Sequence, residues 1–210
     1  MDGVTLALDA STYDGSVAVL RDGTLVAERT VAMRGEREER LMPAVADALA
    51  SAGAAPRDLA RVVCGAGPGS FTSLRIAASI AKGIASATGA PLFAVSSLAL
   101  AAVEAGHGRW TITLDALRGE SYVAVYTWDG ATLGALRAPT VTAHADVKPV
   151  AAEYTAAVVA ARPHARAVAP LLGAIIASGA VDRASWEPSY GRRAEAQVRW
   201  EAAHGEPLAP

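Results

Sequence analysis

The stretch Val62-Val63-Cys64-Gly65-Ala66-Gly67-Pro68-Gly69-Ser70-Phe71-Thr72-Ser73-Leu74-Arg75 leaves this chain few ways to fold. Val62 to Cys64 is an apolar, β-branched run of the kind that forms a strand covered on both faces. Gly65, Gly67 and Gly69 open backbone angles closed to other residues, and Pro68 stiffens the turn between two of them. Ser70 or Thr72 is placed to cap a helix. On that helix Ile76, Ile80 and Ile84 share one face, with Ala77, Ala81 and Ala85 beside them, and Gly89 with Pro91 ends it.

A glycine turn that opens a helix points N–H groups forward, which makes Gly67, Gly69 and Ser70 candidates for holding a phosphate. The turn lacks the Gly-Lys-Ser/Thr of a Walker A loop and the glycine spacing of a dinucleotide fingerprint. Generic physics favours a turn whose glycines serve close packing.

Upstream, Val4 to Ala10, Ser16 to Leu20 and Leu25 to Glu28 read as strands, with Asp22-Gly23 as a hairpin turn, so the chain opens with a three-stranded meander. Asp9, Ser11 and Thr12 close the first strand and form either a hydrogen-bonded turn or a first phosphate loop. Glu36 to Ala52 reads as a helix through Leu41, Val45, Leu49 and Ala52, with Pro43 early in it. Pro91 to Val95 is a further buried strand, and Ser96-Ser97 caps a helix from Leu98 to about Ala105. The pair Gly106 and Gly108 marks a boundary between residues 1–106 and 107–210. The second part repeats the pattern: Trp110 to Leu114, an acidic turn Asp115 to Glu120, Tyr122 to Trp128, then Asp129-Gly130 as the next hairpin turn. Residues 151–161 fit strand or helix, and residues 171–180 a short buried helix.

Composition narrows the function. At 52% hydrophobic residues and a mean hydropathy of +0.26, the chain is compact rather than disordered. No apolar run reaches bilayer length and the start lacks a basic leader, so no membrane span or signal peptide is expected. The single cysteine, Cys64, falls in the buried strand, which disfavours a nucleophile and fits the cytoplasm. With a formal net charge of −2, and with Arg34, Arg37 and Arg40 interleaved with Glu36, Glu38 and Glu39, the chain is a poor nucleic-acid binder on its own.

Gly67-Pro68-Gly69-Ser70-Phe71-Thr72 followed by Leu74-Arg75 resembles the signature of the TsaB (YeaZ) family, with Ser73 where that family usually has glycine. Asp115-Ala116-Leu117-Arg118-Gly119-Glu120 resembles a second family segment, with Leu117 in place of an arginine, and Pro188-Ser189-Tyr190-Gly191-Arg192 resembles the family tail. The resemblance implies an α/β fold of the actin, Hsp70 and sugar-kinase type (ribonuclease H-like, ASKHA), in two related lobes with the second short. It implies a non-catalytic subunit that binds the catalytic subunit TsaD in making threonylcarbamoyladenosine in tRNA. It also implies a TsaE-like ATPase in the complex, a homodimer when alone, tRNA contacted only indirectly, and ATP and a metal ion on TsaD rather than on this chain.

His107, His144, His164 and His204 are scattered, without the helix-spaced pair of a metal site, and read as surface residues. No nucleophile elbow is present. Two functions therefore stand: a scaffold subunit, or a small actin-fold kinase or ATPase using Asp9, Ser11, Thr12 and the Gly67–Ser70 loop. For the scaffold, the helix from Ser73 to Thr88 offers Ala78, Ser79 and Lys82 away from its isoleucines, with Leu41, Val45 and Leu49 of the neighbouring helix, as one patch for both partners. Gly69 is expected at positive φ, and an arginine at position 78 is expected to block docking while sparing the fold.

Overall fold

The computed structural model describes residues 2–35, 39–192, 200 and 203–205. The meander is β1 (Val4–Asp9), β2 (Asp14–Arg21) and β3 (Thr24–Ala32), paired antiparallel. Asp22 and Gly23 turn between β2 and β3 at φ +54° and +85°, as a type I′ hairpin requires. Then come α1 (Leu41–Ser51), β4 (Leu59–Gly65), α2 (Phe71–Thr88), β5 (Leu92–Val95) and α3 (Ser97–Glu104). The first sheet runs β3-β2-β1-β4-β5, with β4 parallel to both β1 and β5.

The second sheet repeats this plan with fewer strands. β6 (Gly108–Leu117), β7 (Glu120–Trp128) and β8 (Leu133–Ala143) form a meander. Helix α4 (Val147–Glu153) then returns the chain to β9 (Ala157–Ala160), parallel to β6, in the order β8-β7-β6-β9. Residues 151–161 are thus the end of a helix followed by a strand. Helix α5 (Val168–Ala177) follows a single 3₁₀ turn at Ala165–Ala167.

Alternation along the strands fills both faces of the first sheet. Leu6, Leu8, Val17, Val19, Val62 and Cys64 meet α1 and α2 on one side. Ala7, Ala18, Leu20, Val63 and Phe93 meet Leu100 and α5 residues Val168, Leu171, Leu172 and Ile175 on the other. Helix α5 of the second half is therefore a cover of the first sheet, which the order of elements along the chain does not reveal. On the second sheet, Ile112, Ala124 and Tyr126 meet α3, and Val123 and Val125 meet Val150 of α4. Among the described residues no helix is long and apolar enough to cross a membrane.

Several local expectations change. Helix α1 begins at Leu41 rather than Glu36: residues 39 and 40 are not helical, and 36–38 lie outside the described residues. Pro43 sits in the first turn, where its missing N–H costs no bond. The Glu39 carboxylate, in place of a cap residue, accepts from the N–H groups of Leu41 and Met42. Ser70 and Ser96 stand at N-cap positions without capping. The Ser70 hydroxyl is 3.0 Å from Ser73 Oγ, and that of Ser96 is 3.4 Å from Tyr126 Oη.

Candidate functional site

The end of β1 and the glycine loop after β4 meet beneath the gap between the sheets. Asp9 has no solvent exposure. Its Oδ1 accepts from Ser11 N at 3.0 Å and Ser11 Oγ at 2.8 Å, and its Oδ2 accepts from Ser97 Oγ at 2.5 Å. Burial raises its pKa, while the Ser97 and Ser11 hydrogen bonds and the charge of His164 pull the other way. Thr12 Oγ1 bonds to Asp14, 3.0 Å to the carbonyl and 3.2 Å to the N–H, closing a local turn.

Each glycine of the loop has its own reason. A Cβ at Gly65 would overlap the Asp9 carboxylate, and one at Gly69 would overlap the Ser11 backbone oxygen. Gly67 lies at φ +80° and its Cβ would overlap Ser189 O. Gly69 lacks the positive φ expected of it; its constraint is close backbone approach. The Gly67–Pro68 peptide is cis. Three of the loop's N–H groups turn inward: Ala66 N donates to Val95 O at 2.7 Å, Gly67 N to Ser97 Oγ at 3.0 Å, and Ser70 N to Ser11 O at 2.7 Å. The fold thus brings Asp9, Ser11, Gly67, Gly69 and Ser70 together, with Asp9, Ser11, Gly67 and Ser70 bonded among themselves or to Ser73 and Ser97. Asp9, the acid of the expected first phosphate loop, is buried and already accepts from Ser11 and Ser97, so its carboxylate does not line the cleft above. Cys64, equally buried, keeps its thiol protonated because burial, and then the nearby Asp9 charge, push its pKa up.

Above this floor opens a cleft of about 1490 Å³, walled by both sheets. Its first wall carries Tyr13, Ser70 and Phe71, and its second Leu114, Leu117 and Tyr122. Arg166 reaches Glu104 at 2.7 Å, with Glu28 at 3.6 Å. His164 Nε2 lies 3.1 Å from Thr30 Oγ1, so this histidine is a half-buried contact with the first sheet rather than a surface residue. Leu117 and Arg118 turn the β6–β7 hairpin at φ +65° and +57°, and Leu117 is 59% exposed. Among the described residues no group of three or more His, Cys, Asp or Glu is arranged to hold a metal ion.

The expected partner patch needs reassignment. Leu41, Val45 and Leu49 are 0%, 1% and 4% exposed in this chain's own core, so their side chains offer nothing to a partner. Ala78 is 5% exposed, and an arginine there would disturb the fold as well as any docking. Ser79 is exposed and Lys82 half-buried. Both line a shallow groove with Arg75 and Glu187, in which Lys82 Nζ meets Glu187 Oε1 at 3.0 Å. The outward faces of α1 and α2 carry Met42, Ala46, Ala50, Ser79, Gly83 and Ser86. Arg75 and Glu187 were missed by sequence reasoning: nothing local tells that the 187–192 tail lies against α2.

Residues 32–166 match the family described as TsaD, tRNA N6-adenosine threonylcarbamoyltransferase. The chain is 37% identical over 130 residues to tRNA threonylcarbamoyladenosine biosynthesis protein TsaB of Bacillus subtilis, covering 61% of this chain and 57% of that protein. It is 38% identical over 128 residues to TsaB of Escherichia coli, covering 59% of this chain and 55% of that one. The chain thus spans little more than half the length of these curated relatives. The solved structure of YeaZ from Pseudomonas aeruginosa superposes with a TM-score of 0.76 at 28% identity, over 90% of this chain and 100% of that one. That superposition takes in both sheets, each a meander continued by a parallel strand. By sequence match and by fold, the chain belongs to the TsaB (YeaZ) family.

Proposed function

We propose that this chain is a non-catalytic subunit in the synthesis of N6-threonylcarbamoyladenosine in tRNA, where it docks on a TsaD-like catalytic subunit and supports its active state. Family membership supports the pathway. The observation that carries the non-catalytic reading is the inward-turned Asp9, whose carboxylate is consumed by Ser11 and Ser97. In this reading ATP and the metal ion sit on the TsaD-like subunit, a TsaE-like ATPase joins the complex, and tRNA is held by another subunit, consistent with a net charge of −2 here. The work is done in the cytoplasm, where tRNA is modified. The docking face is the outer side of α1 and α2, whose small residues allow close helix approach. A contact of standard size, about 1,200–2,000 Å² in total, would serve the homodimer and the heterodimer in turn.

Ser79→Arg tests the docking face, because Ser79 is exposed and its replacement leaves the core alone. The variant should lose TsaD binding in a pull-down and keep its circular dichroism melt; undiminished binding would move the partner surface elsewhere. For the chemistry, the purified chain is incubated with Mg-ATP and unmodified tRNA, with and without the TsaD-like subunit. Neither ATP turnover nor modified adenosine is expected from the chain alone. The kinase alternative draws on the cleft, which is roomy enough for a nucleotide. Saturable ATP hydrolysis by the isolated chain would establish it in place of the scaffold reading.

A further inference from the structure

After α5 the chain crosses back over the molecule, contacting the first half and then the second. Val181 N donates to Leu92 O at 2.8 Å, extending the edge of the first sheet. Arg183 Nη1 donates to Ala85 O at 2.5 Å on α2, and Trp186 packs on the core beneath α1 and α2. Glu187 pairs with Lys82, and Ser189 N donates to Ala66 O at 2.8 Å in the glycine loop. Tyr190 packs on Phe71, ring centres 4.4 Å apart and planes tilted by 44°, at the start of α2. The segment then leaves the first half. Tyr122 Oη on β7 donates to Tyr190 O at 2.8 Å, and Arg192 reaches Ala116 O on β6 and Glu120 Oε2 on β7, the latter at 3.3 Å.

The seat for this segment is shaped closely. Gly191 is at φ +69°, and a Cβ there would overlap the Tyr122 ring and come within 2.9 Å of Pro68 Cβ. Gly67, across the seat, has no room for a Cβ against Ser189 O. A surface turn merely lying on the protein would not require glycine on both sides.

Tyr190 and Arg192 line the cleft, as do Phe71 on one wall and Tyr122 and Glu120 on the other. The halves are also joined at the floor of the cleft, where α3 packs on β6 and β7 and Ala165 N donates to Ser16 Oγ at 2.9 Å. The bonds of Tyr190 and Arg192 therefore add a bridge between the two walls, separate from the contacts of His164 with Thr30 and of Arg166 with Glu28. We propose that residues 181–192 form an inter-lobe clasp that sets the aperture of the cleft, with the first-half contacts of residues 181–190 as its anchor and Tyr190–Arg192 as its catch. The inference concerns the chain's own two halves and stands whether or not the TsaD docking reading does.

The test measures aperture in the intact chain. Spin labels on Val26→Cys and Leu136→Cys report the separation of β3 and β8; both positions are exposed, and the native Cys64 is too buried to label. The parent protein should give one narrow distance distribution by pulsed electron spin resonance. Tyr122→Phe with Arg192→Ala removes the catch, and Gly191→Ala unseats it sterically without touching the bonding side chains. Both should shift and broaden the distribution, and the amides of Gly67 and Ser189 should lose protection from hydrogen exchange. Tyr122→Phe alone, which deletes one hydroxyl, should do the same to a smaller extent and guards against loss of the fold. A parent distribution that is already broad, or variants that keep the parent distribution, would overturn the clasp.

Discussion

Asp9 has no exposure to water, and its hydrogen bonds from Ser11 and Ser97 do not fully offset that loss, since its pKa is still raised from 3.8. A carboxyl raised in the folded state binds its proton more tightly there than in the unfolded chain. Its contribution to stability is thus fully present below pH 3.8 and is lost as pH rises through the folded value. Asp9→Asn keeps the shape and one accepting oxygen while removing the charge. Its melting temperature should equal or exceed the parent's at pH 7, and the difference should shrink toward pH 3.8, where the parent's carboxyl is increasingly protonated. A variant clearly less stable at pH 7 would show that the charge itself holds the turn. Gly69 makes a different point: its Cβ would overlap a backbone oxygen, which cannot swing aside as a side chain would. Gly69→Ala should cost about 1–3 kcal/mol in denaturant melts. The sequence shows that the loop needs glycine; it cannot show that Gly69 answers to Ser11 in another loop rather than to its own φ.

Helix α2 shows which parts of an element are written locally. Its left-handed stop at Gly89, φ +76°, follows from the turn residues and was legible, whereas its start at Phe71 comes two residues before the expected Ser73. Legible too were the hairpin turns and strands β1 to β7, because a period of two residues is a property of the segment itself, while β9 fell in a stretch that fits strand or helix. The choice of face was less legible. Ala77, Ala81 and Ala85 are the fully buried stripe, and Ile76, Ile80 and Ile84 pack half-buried at its side. Small side chains let the helix lie close on the strands, and the longer ones fill the wedge that a round helix leaves beside a sheet. Hydrophobicity alone ranks isoleucine above alanine and so points to the wrong stripe. Gly83 lies on the exposed side, without a positive φ and with nothing within 4 Å of where an added methyl would stand. Gly83→Ala should therefore stabilise the protein by about 1 kcal/mol in denaturant unfolding. A loss of stability would mean that the helix backbone at this turn needs glycine after all.

For the whole molecule, chain order and spatial order part company after Ala160. Residues up to there fall into two successive sheets, and the glycines at 106 and 108 stand where one gives way to the other. Beyond it the polypeptide returns: Ala165–Ala167 packs against β1, β2 and β3, and α5 covers Ala7, Ala18, Leu20, Val63 and Phe93 of the first sheet. This return was not legible, because an apolar helix records only that it is covered, not which sheet covers it. The same holds for the tail from Glu187 to Arg192, whose residues alone read as a surface turn until their partners are known. The consequence is that residues 1–106 do not carry a complete set of layers. Cut off there, the first sheet keeps α1 and α2 on one face and loses α5 from the other, exposing a contiguous apolar surface that a soluble monomer does not tolerate. A fragment of residues 1–106 should bind a hydrophobic dye, self-associate and melt without a cooperative transition, while the full chain unfolds in a single one. Adding residues 161–192 as a separate peptide should restore part of the cooperativity, because that segment contains the missing layer. A 1–106 fragment that melts cooperatively near the temperature of the intact chain would show instead that the first half folds as an independent domain, and that α5 is an ornament on a sheet already stable without it.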